Sequence, residues 1–290
     1  MLTSAQADRL EVLLVSPRNP LNIGAAARAM ANFGFRHLTI VAPFAHNWME
    51  AKSAVGAPDL LREARVCDTL AEAVAHCTLV VGTGSLDRRR PEQAILALPQ
   101  AAQQIRQALG PATMQDPTKG TGSSPYMKAQ VAGRALAPEG DHSTKQPRVA
   151  LLFGSEKHGL TTSDLSWCHA ITVIDTADAQ PSMNLGQAVA VCLYEISRLP
   201  TSGSTGVTPE RATLSSLDLP ADQPTSEQLD RLAELIEETM DSVNYATRGM
   251  RSANGEALRV LLRRLMPQDA DLRRIMGLFR RILWQLRKNP

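Results

Sequence analysis

Short apolar runs alternate with longer stretches of helical period over the first two thirds of the chain. Val12–Val15, Leu38–Val41, Ala64–Cys67, Leu79–Val81, Val149–Phe153 and Ile171–Ile174 are mostly apolar, and Gly, Pro or polar residues bound them. That pattern predicts strands buried on both faces. Between the first two runs, Ile23, Ala26, Ala27, Met30 and Phe33 mark the buried face of a helix that Asn22 caps and Gly34 stops. The 44–61 stretch is mixed and predicts only a helix and a loop, Thr69–Ala75 a short helix, and Pro91–Leu109 one long helix with Pro91 in its first turn. Leu185–Ile196 is helical and apolar on most faces. Strand and helix alternate from residue 11 to 199, which predicts an α/β domain with a parallel sheet.

Two segments break this rhythm. Residues 110–147 and 200–226 are rich in Gly, Pro, Ser and Thr and keep no period, apart from a possible short helix at Met127–Leu136. They read as a flexible insertion and an interdomain linker. After them come three apolar stripes: Leu229, Leu232, Leu235, Ile236, Met240 and Val243; then Leu258, Leu261, Leu262 and Leu265; then Leu272, Ile275, Met276, Phe279, Leu283 and Leu286. Short connections predict a small all-α extension over 227–290, an antiparallel bundle or a dimerisation element. It is near the lower limit for independent stability, so its stripes should pack on the main domain, 1–199, or on a second chain.

Charge changes the picture more by where it sits than by its sum. The net charge is +2, yet residues 1–226 carry 19 Lys/Arg against 20 Asp/Glu, whereas 248–290 carry 11 against 3. A basic end on a neutral body points to an anionic partner, nucleic acid first. Aromatic residues make up only 4% of the chain, which argues against a base-stacking platform of the single-strand-binding kind. Cys67, Cys77, Cys168 and Cys192 lie far apart without a Cys-x-x-Cys pair, so buried free thiols are expected, with no metal site and no disulfide. No signal-peptide pattern and no run of membrane-spanning length occurs; the expectation is a cytoplasmic protein with no membrane partner.

The chemistry concentrates in loops that follow the strand runs, where parallel sheets form their ligand crevices. Val149–Phe153 opens into Gly154-Ser155-Glu156-Lys157-His158-Gly159, and Ile171–Ile174 leads to Pro181-Ser182-Met183-Asn184. Arg28 follows Gly24 and Ala25 by one helical turn, so its guanidinium can pass over small residues toward the strand ends. Any single Arg is more often a solvated surface group, and Ser182 and Asn184 alone would be turn and cap chemistry. Leu79–Val81 opens into Gly82-Thr83-Gly84-Ser85, but the third glycine of a dinucleotide fingerprint would fall at Asp87, so that fingerprint is absent. Arg88, Arg89 and Arg90 then stand at the rim, suited to phosphate contacts.

Three spaced sets carry a resemblance. Asn22-x-Gly24-x-x-x-Arg28, Phe153-Gly154-x-Glu156-x-x-Gly159-Leu160 and Ser182-Met183-Asn184-Leu185-x-x-Ala188-Val189 resemble, in order, the three motifs of the SpoU/TrmH family. These are SPOUT-class RNA ribose 2′-O-methyltransferases that use S-adenosyl-L-methionine. The likeness covers nearly all of residues 10–199, with Met183 in place of the usual Leu, a volume-conserving swap. The Val81-Gly82-Thr83 loop and the Leu-Arg-Arg-Leu helix of the extension look most like the TrmJ branch, which methylates the ribose at position 32 of the tRNA anticodon loop. The resemblance implies a trefoil knot around residues 150–199 and a homodimer acting on tRNA rather than DNA.

It also implies roles. Arg28 would contact the 2′-oxygen and a phosphate, Asn22 would fix the loop beneath it, and Glu156 would orient Arg28 through a charge-assisted hydrogen bond. Ser182 and Asn184 would hold the third loop. Thr83, Gly84, Ser85, Gly154, Glu156, Gly159, Leu160, Ile174, Ser182, Met183 and Asn184 would line the cofactor pocket. Arg18, Arg28, Arg88, Arg89, Arg90, Arg263 and Arg264 would meet RNA. Rival expectations are action on ribosomal RNA or another tRNA position, a non-catalytic RNA-binding protein of the same fold, and a Rossmann oxidoreductase. A serine hydrolase is weaker, since neither Ser85 nor Ser155 sits in G-x-S-x-G.

Overall fold

A computed structural model describes residues 2–44, 48–50, 53–84, 90–110, 148–177, 179–198, 222–245 and 251–288. Residues 111–147 of the expected insertion, with its short helix, and nearly all of the expected linker lie outside the described residues. The chain runs α1 (Ser4–Ala7), β1 (Leu10–Val15), α2 (Pro20–Asn32), β2 (His37–Val41), a 3-10 turn at Trp48–Glu50, α3 (Pro58–Arg62), β3 (Arg65–Cys67), α4 (Leu70–Val74), β4 (Leu79–Thr83), β5 (Ala94–Ala97) and α5 (Leu98–Ala108). Then follow β6 (Val149–Phe153), α6 (Thr162–Leu165), β7 (Ala170–Val173), α7 (Leu185–Ser197), α8 (Ser226–Ser242), α9 (Arg251–Leu265) and α10 (Asp269–Lys288).

All seven strands join one sheet in the order β3-β2-β1-β6-β4-β7-β5, and every pairing is parallel. Strand alternation splits the core in two. Leu10, Val12, Leu14, Leu79, Val81, Leu151 and Phe153 face α2, α5 and α7, with Ile23, Met30, Ile105, Val189 and Ile196 packed against them. Leu13, Val15, Val80, Ala150, Leu152 and Ile171 face α4 and α6, with Leu70, Val74, Leu165 and Cys168. Burial on both faces is why the strands read as apolar runs without alternation.

Two expectations about local structure are corrected. The stretch from Pro91 is not one helix: Ala94–Ala97 forms β5, an edge strand on β7, and α5 starts at Leu98 with Pro99 in its first turn. Its Ala-Ile-Leu-Ala sequence has little β-branched character, so neighbouring β7 fixes it rather than propensity. Nor is Asn22 the cap of α2. Asn19 is, its Oδ1 accepting from the Leu21 amide at 2.9 Å, with Pro20 at the first helical position. Proline loses nothing there, because the amide it lacks would have no partner. The side chain of Asn22 is thereby left for other bonds.

The extension packs on itself and on the main domain. Leu229, Leu232, Ala233, Leu262 and Leu272 form its core, with Ile236, Leu258, Ile275, Met276 and Phe279 against it. Val243, Leu261 and Leu265, expected in the stripes, are exposed instead. At the start of α8, the amides of Ser226 and Glu227 donate to the carbonyls of Cys77 at 2.8 Å and Ala75 at 3.0 Å, just past α4. The four cysteines are free and buried, as expected. Burial pushes the thiols of Cys168 and Cys192 up to about 12, so they are unreactive. No helix among the described residues is long and apolar enough to cross a membrane.

Candidate active site

The strand order sets β1, β6, β4 and β7 side by side. The segments leaving their carboxyl ends carry, in turn, Asn19 and the first turn of α2 to Asn22, Gly154 to Leu160, Thr83-Gly84, and Ile174 with Pro181 to Asn184. One edge of the sheet thus gathers loops from three distant parts of the sequence.

The loop after β6 is closed on itself. Gly159 donates its amide to the Ser155 carbonyl at 2.8 Å, and the two residues form an isolated bridge. Gly159 has φ +64°, and a Cβ on Gly154 would lie 2.0 Å from the Gly159 carbonyl carbon. Side chains are therefore shut out at Gly154, and the ring projects Glu156 outward.

Glu156 binds the loop after β1. Its Oε2 accepts from the Arg18 amide at 2.9 Å, and its Oε1 accepts from the Asn19 amide and from Asn22 Nδ2, both at 3.0 Å. Partial burial would raise this carboxyl. The hydrogen bonds from Asn22, its own amide, Arg18 and Asn19 outweigh that and hold it below its ordinary value. The expectation that Glu156 bonds Arg28 is corrected: among the described residues its partners do not include the guanidinium. Two main-chain amides at the start of α2 satisfy the carboxylate, at the end of a helix where negative charge is favoured.

Asn22 carries the connection onward. Its Oδ1 accepts from Asn184 Nδ2 at 2.9 Å, while Asn184 Oδ1 accepts from the amides of Gly186 at 2.9 Å and Gln187 at 3.4 Å. Asn184 is the N-cap of α7, as expected. Residues of the three motifs are thus joined in one hydrogen-bonded chain, Glu156–Asn22–Asn184. Beside it α2 and α7 cross closely, since a Cβ on Gly186 would lie 2.6 Å from the Cβ of Ala25. Arg28 stands one turn along α2 from Ala25, exposed, without a hydrogen-bond or ion-pair partner among the described residues. Ser182 is exposed as well, and Met183 is half-buried.

The pocket side is built by β4 and β7. Thr83 donates its hydroxyl to the Leu152 carbonyl at 2.8 Å, and the Gly84 amide is committed to the Thr172 carbonyl at 3.2 Å. Gly84 therefore has its carbonyl, not its amide, to offer. Thr172, opposite Thr83 in register, is fully buried, and its Oγ1 has no partner among the described residues. A buried hydroxyl without a partner is costly, so an orphan at the carboxyl ends of β4 and β7 fits a polar ligand group bound there. Ile174 is half-buried on the main core, and Leu160 is buried on the other face. Thr172 escaped the sequence reading because a Thr in a short strand carries no signal of its own, and neither do the main-chain donors at Arg18 and Asn19.

The expected RNA-binding arginines divide. Arg18 is exposed and its guanidinium lies 4.3 Å from the ring centre of Phe44. Arg90 is exposed; Ser85, Arg88 and Arg89 lie outside the described residues. Arg263 is corrected outright. Its side chain is fully buried, with Nη2 on Asp230 Oδ1 at 3.1 Å and Nε on the Trp167 carbonyl at 3.0 Å. Arg259 bonds Ser166 Oγ at 3.2 Å and flanks the Trp167 ring with Arg263, and Arg264 pairs with Glu92 at 2.8 Å. These arginines dock the extension instead of offering a free cationic face.

At the far, amino end of the strands, Glu11, His76 and Cys77 come within 4.8 Å of one another. Glu11 there is already bonded by Thr39, Arg65 and His76, and the guanidinium of Arg65 opposes a bound cation.

Comparison with known proteins agrees with this geometry. The SpoU rRNA Methylase family matches residues 9–111 and 112–194. A Pseudomonas aeruginosa protein named tRNA (cytidine/uridine/adenosine-2′-O-)-methyltransferase TrmJ is 30% identical over 283 residues, 97% of this chain and 95% of its own. A Klebsiella pneumoniae protein named tRNA (cytidine/uridine-2′-O-)-methyltransferase TrmJ is 27% identical, covering 93% of this chain and 94% of its own. The crystal structure of TrmJ from Z. mobilis ZM4 superposes with a TM-score of 0.68 at 26% identity, over 94% of this chain and 98% of that one. With a family match that spans the whole sheet domain and a bonded chain that joins its three motifs, this protein belongs to the SpoU rRNA Methylase family.

Proposed function

We propose that this protein transfers a methyl group from S-adenosyl-L-methionine to a ribose 2′-hydroxyl of tRNA, at the pyrimidine in position 32 of the anticodon loop. The observation that carries this reading is the Glu156–Asn22–Asn184 chain, which holds three loops together at the start of α2, the helix that also carries the exposed Arg28. The printed names of the relatives from Pseudomonas aeruginosa and Klebsiella pneumoniae support the substrate and the 2′-O position.

When bound, the cofactor supplies an electrophilic methyl on sulfur; the rest of the chemistry falls to the chain. Thr83, the Gly84 carbonyl, Gly154, Ile174, Ser182 and Met183 would hold it, with Thr172 Oγ1 at the same strand ends. These residues would orient that methyl toward the ribose 2′-oxygen that is to receive it. The hydroxyl proton has to leave. A guanidinium holds its protons too tightly to accept another group's, so Arg28 acts as a fixed cation that stabilises the developing alkoxide, and phosphate or solvent takes the proton.

The finer reading includes a trefoil knot around residues 150–199, a homodimer, and a cytoplasmic site of action. The outer layer of α2 and α7 supports a second copy, since it leaves Leu21 and Tyr194 more than half exposed. RNA contact in the extension falls to α10, where Arg280 and Arg281 are exposed without partners among the described residues.

The test is to incubate the purified protein with tRNA and methyl-labelled cofactor and to map the 2′-O-methyl groups. Label at position 32 is expected, and Arg28→Ala should abolish it while leaving cofactor affinity nearly intact. Label elsewhere would reassign the target, and full activity of the variant would remove Arg28 from the mechanism.

A further inference from the structure

Phe44 is 66% exposed at the carboxyl end of β2, in a chain where aromatic residues are scarce. One ring face carries the Arg18 guanidinium, whose carbon lies 4.3 Å from the ring centre. Exposed Phe side chains usually swing freely, but both partners here are tethered by their main chains. The Phe44 amide donates to the Pro17 carbonyl at 3.1 Å, and the Arg18 amide donates to Glu156. The turns that lead out of the neighbouring strands are also fixed in an unusual way. Ser16 has φ +48° and Ala42 φ +43°, left-handed conformations that cost non-glycine residues energy and gather at functional sites. Ser16 donates its amide to Val41, and Ala42 donates to Cys67, which locks each turn to the next strand.

We propose that Phe44 and Arg18 form a stacking platform for an unpaired nucleobase of the RNA loop, adjacent to the nucleotide that is methylated; this rests on the RNA methyl-transfer reading above. The platform is joined directly to the active site, because Glu156 binds the Arg18 amide and Asn22 together. Recognition of single-stranded loops splays bases out of the stack, and a splayed base needs a surface to receive it. An aromatic face accepts any base, and a guanidinium beside it adds a stacking plane and a phosphate contact. Apolar side chains without π faces offer neither. The occupant is therefore a base with its phosphate and not an apolar protein surface, since the charged Arg18 is exposed beside the ring.

The test uses the full-length protein, S-adenosyl-L-methionine and tRNA. Phe44→Leu keeps apolar bulk without a π face, and Phe44→Trp keeps the face. Phe44→Leu is expected to raise KM for tRNA on the order of ten-fold, with kcat and cofactor affinity unchanged, and Phe44→Trp to return it to near the wild-type value. Wild-type KM in Phe44→Leu overturns the inference, as does an equal defect in both variants. A shift of Phe44→Leu to a smaller oligomer in sedimentation also overturns it and assigns the face to a subunit contact. If wild-type protein methylates no tRNA, the reading of the reaction fails instead. The platform then stands or falls on tRNA affinity alone, measured for the same variants.

Discussion

The carboxamides of Asn22 and Asn184 meet head to tail, Asn184 Nδ2 donating to Asn22 Oδ1 at 2.9 Å. The direction is forced from both ends. Asn184 Oδ1 is occupied by the first amides of α7, so its nitrogen has to face Asn22; Glu156 accepts only, so the nitrogen of Asn22 has to face Glu156. A carboxamide donates on one side and accepts on the other, which a carboxylate of the same length cannot do.

Asn22→Asp tests that directionality. It sets a second carboxylate against Glu156, and the two repel wherever both are ionised. At neutral pH the variant should lose roughly 100-fold in kcat/KM, on the scale of a misplaced positioning group. Acid supplies a proton to the pair, so the ratio of variant to wild type should rise as pH falls from 8 toward 5. A ratio that stays flat across that range would sink the directional reading.

Arg263 and the α10 arginines should respond in opposite ways. Burial lowers the pKa of Arg263 and raises that of Asp230, each against the attraction of the other, so desolvation offsets much of what the pair contributes. Removing one partner is a different matter. Arg263→Ala leaves Asp230 and the Trp167 carbonyl unpaired and should cost about 3–5 kcal/mol in denaturant unfolding. The double variant Arg263→Met/Asp230→Leu should recover much of that loss. By contrast, Arg280→Gln and Arg281→Gln should leave stability alone and reduce the salt slope of tRNA binding by about 1 each. An unchanged slope in the α10 variants, or a lower one at wild-type stability in Arg263→Ala, would reverse these assignments.

His169 should make stability depend on pH. Burial and the nearby charge of Arg263 push its pKa down to about 3 from 6.5. The Val80 amide donates to its Nδ1 at 3.0 Å, a bond that only the neutral ring accepts. The unfolded chain therefore takes up a proton that the folded chain refuses, and stability falls as pH drops through 6.5 toward 3. Between 6.5 and 4.5 the ordinary carboxylates contribute little. His169→Asn keeps an acceptor for Val80 without titrating, so its unfolding free energy should be nearly flat in that window while that of wild type declines. Parallel curves would remove His169 as the cause.

Much of this arrangement is written in local sequence. Each of the six apolar runs overlaps a strand to within a residue at either end or is contained in it, and the spacing of glycines around Glu156 marks a ring that admits no side chain at Gly154. What escaped reading depends on partners distant in sequence. Ala94–Ala97 becomes a strand only because β7 lies beside it. Arg263 belongs to a helix whose Leu262 already faces the extension's own core, and no helical period reveals that the neighbouring position meets Trp167. Glu156 was legible as a site residue, but the main-chain amides that bind it have no side-chain signature.

The position of β6 between β1 and β4 has a consequence for how the chain matures. As the ribosome releases the first hundred residues, β1 and β4 each present a bare edge where the central strand will later lie, and β5 has nothing to pair with until β7 emerges. The nascent half-sheet exposes polar main chain and apolar faces together, a state prone to improper association. Closure waits for Val149–Phe153, so the catalytic edge forms late, at one stroke, around a strand drawn from far along the message.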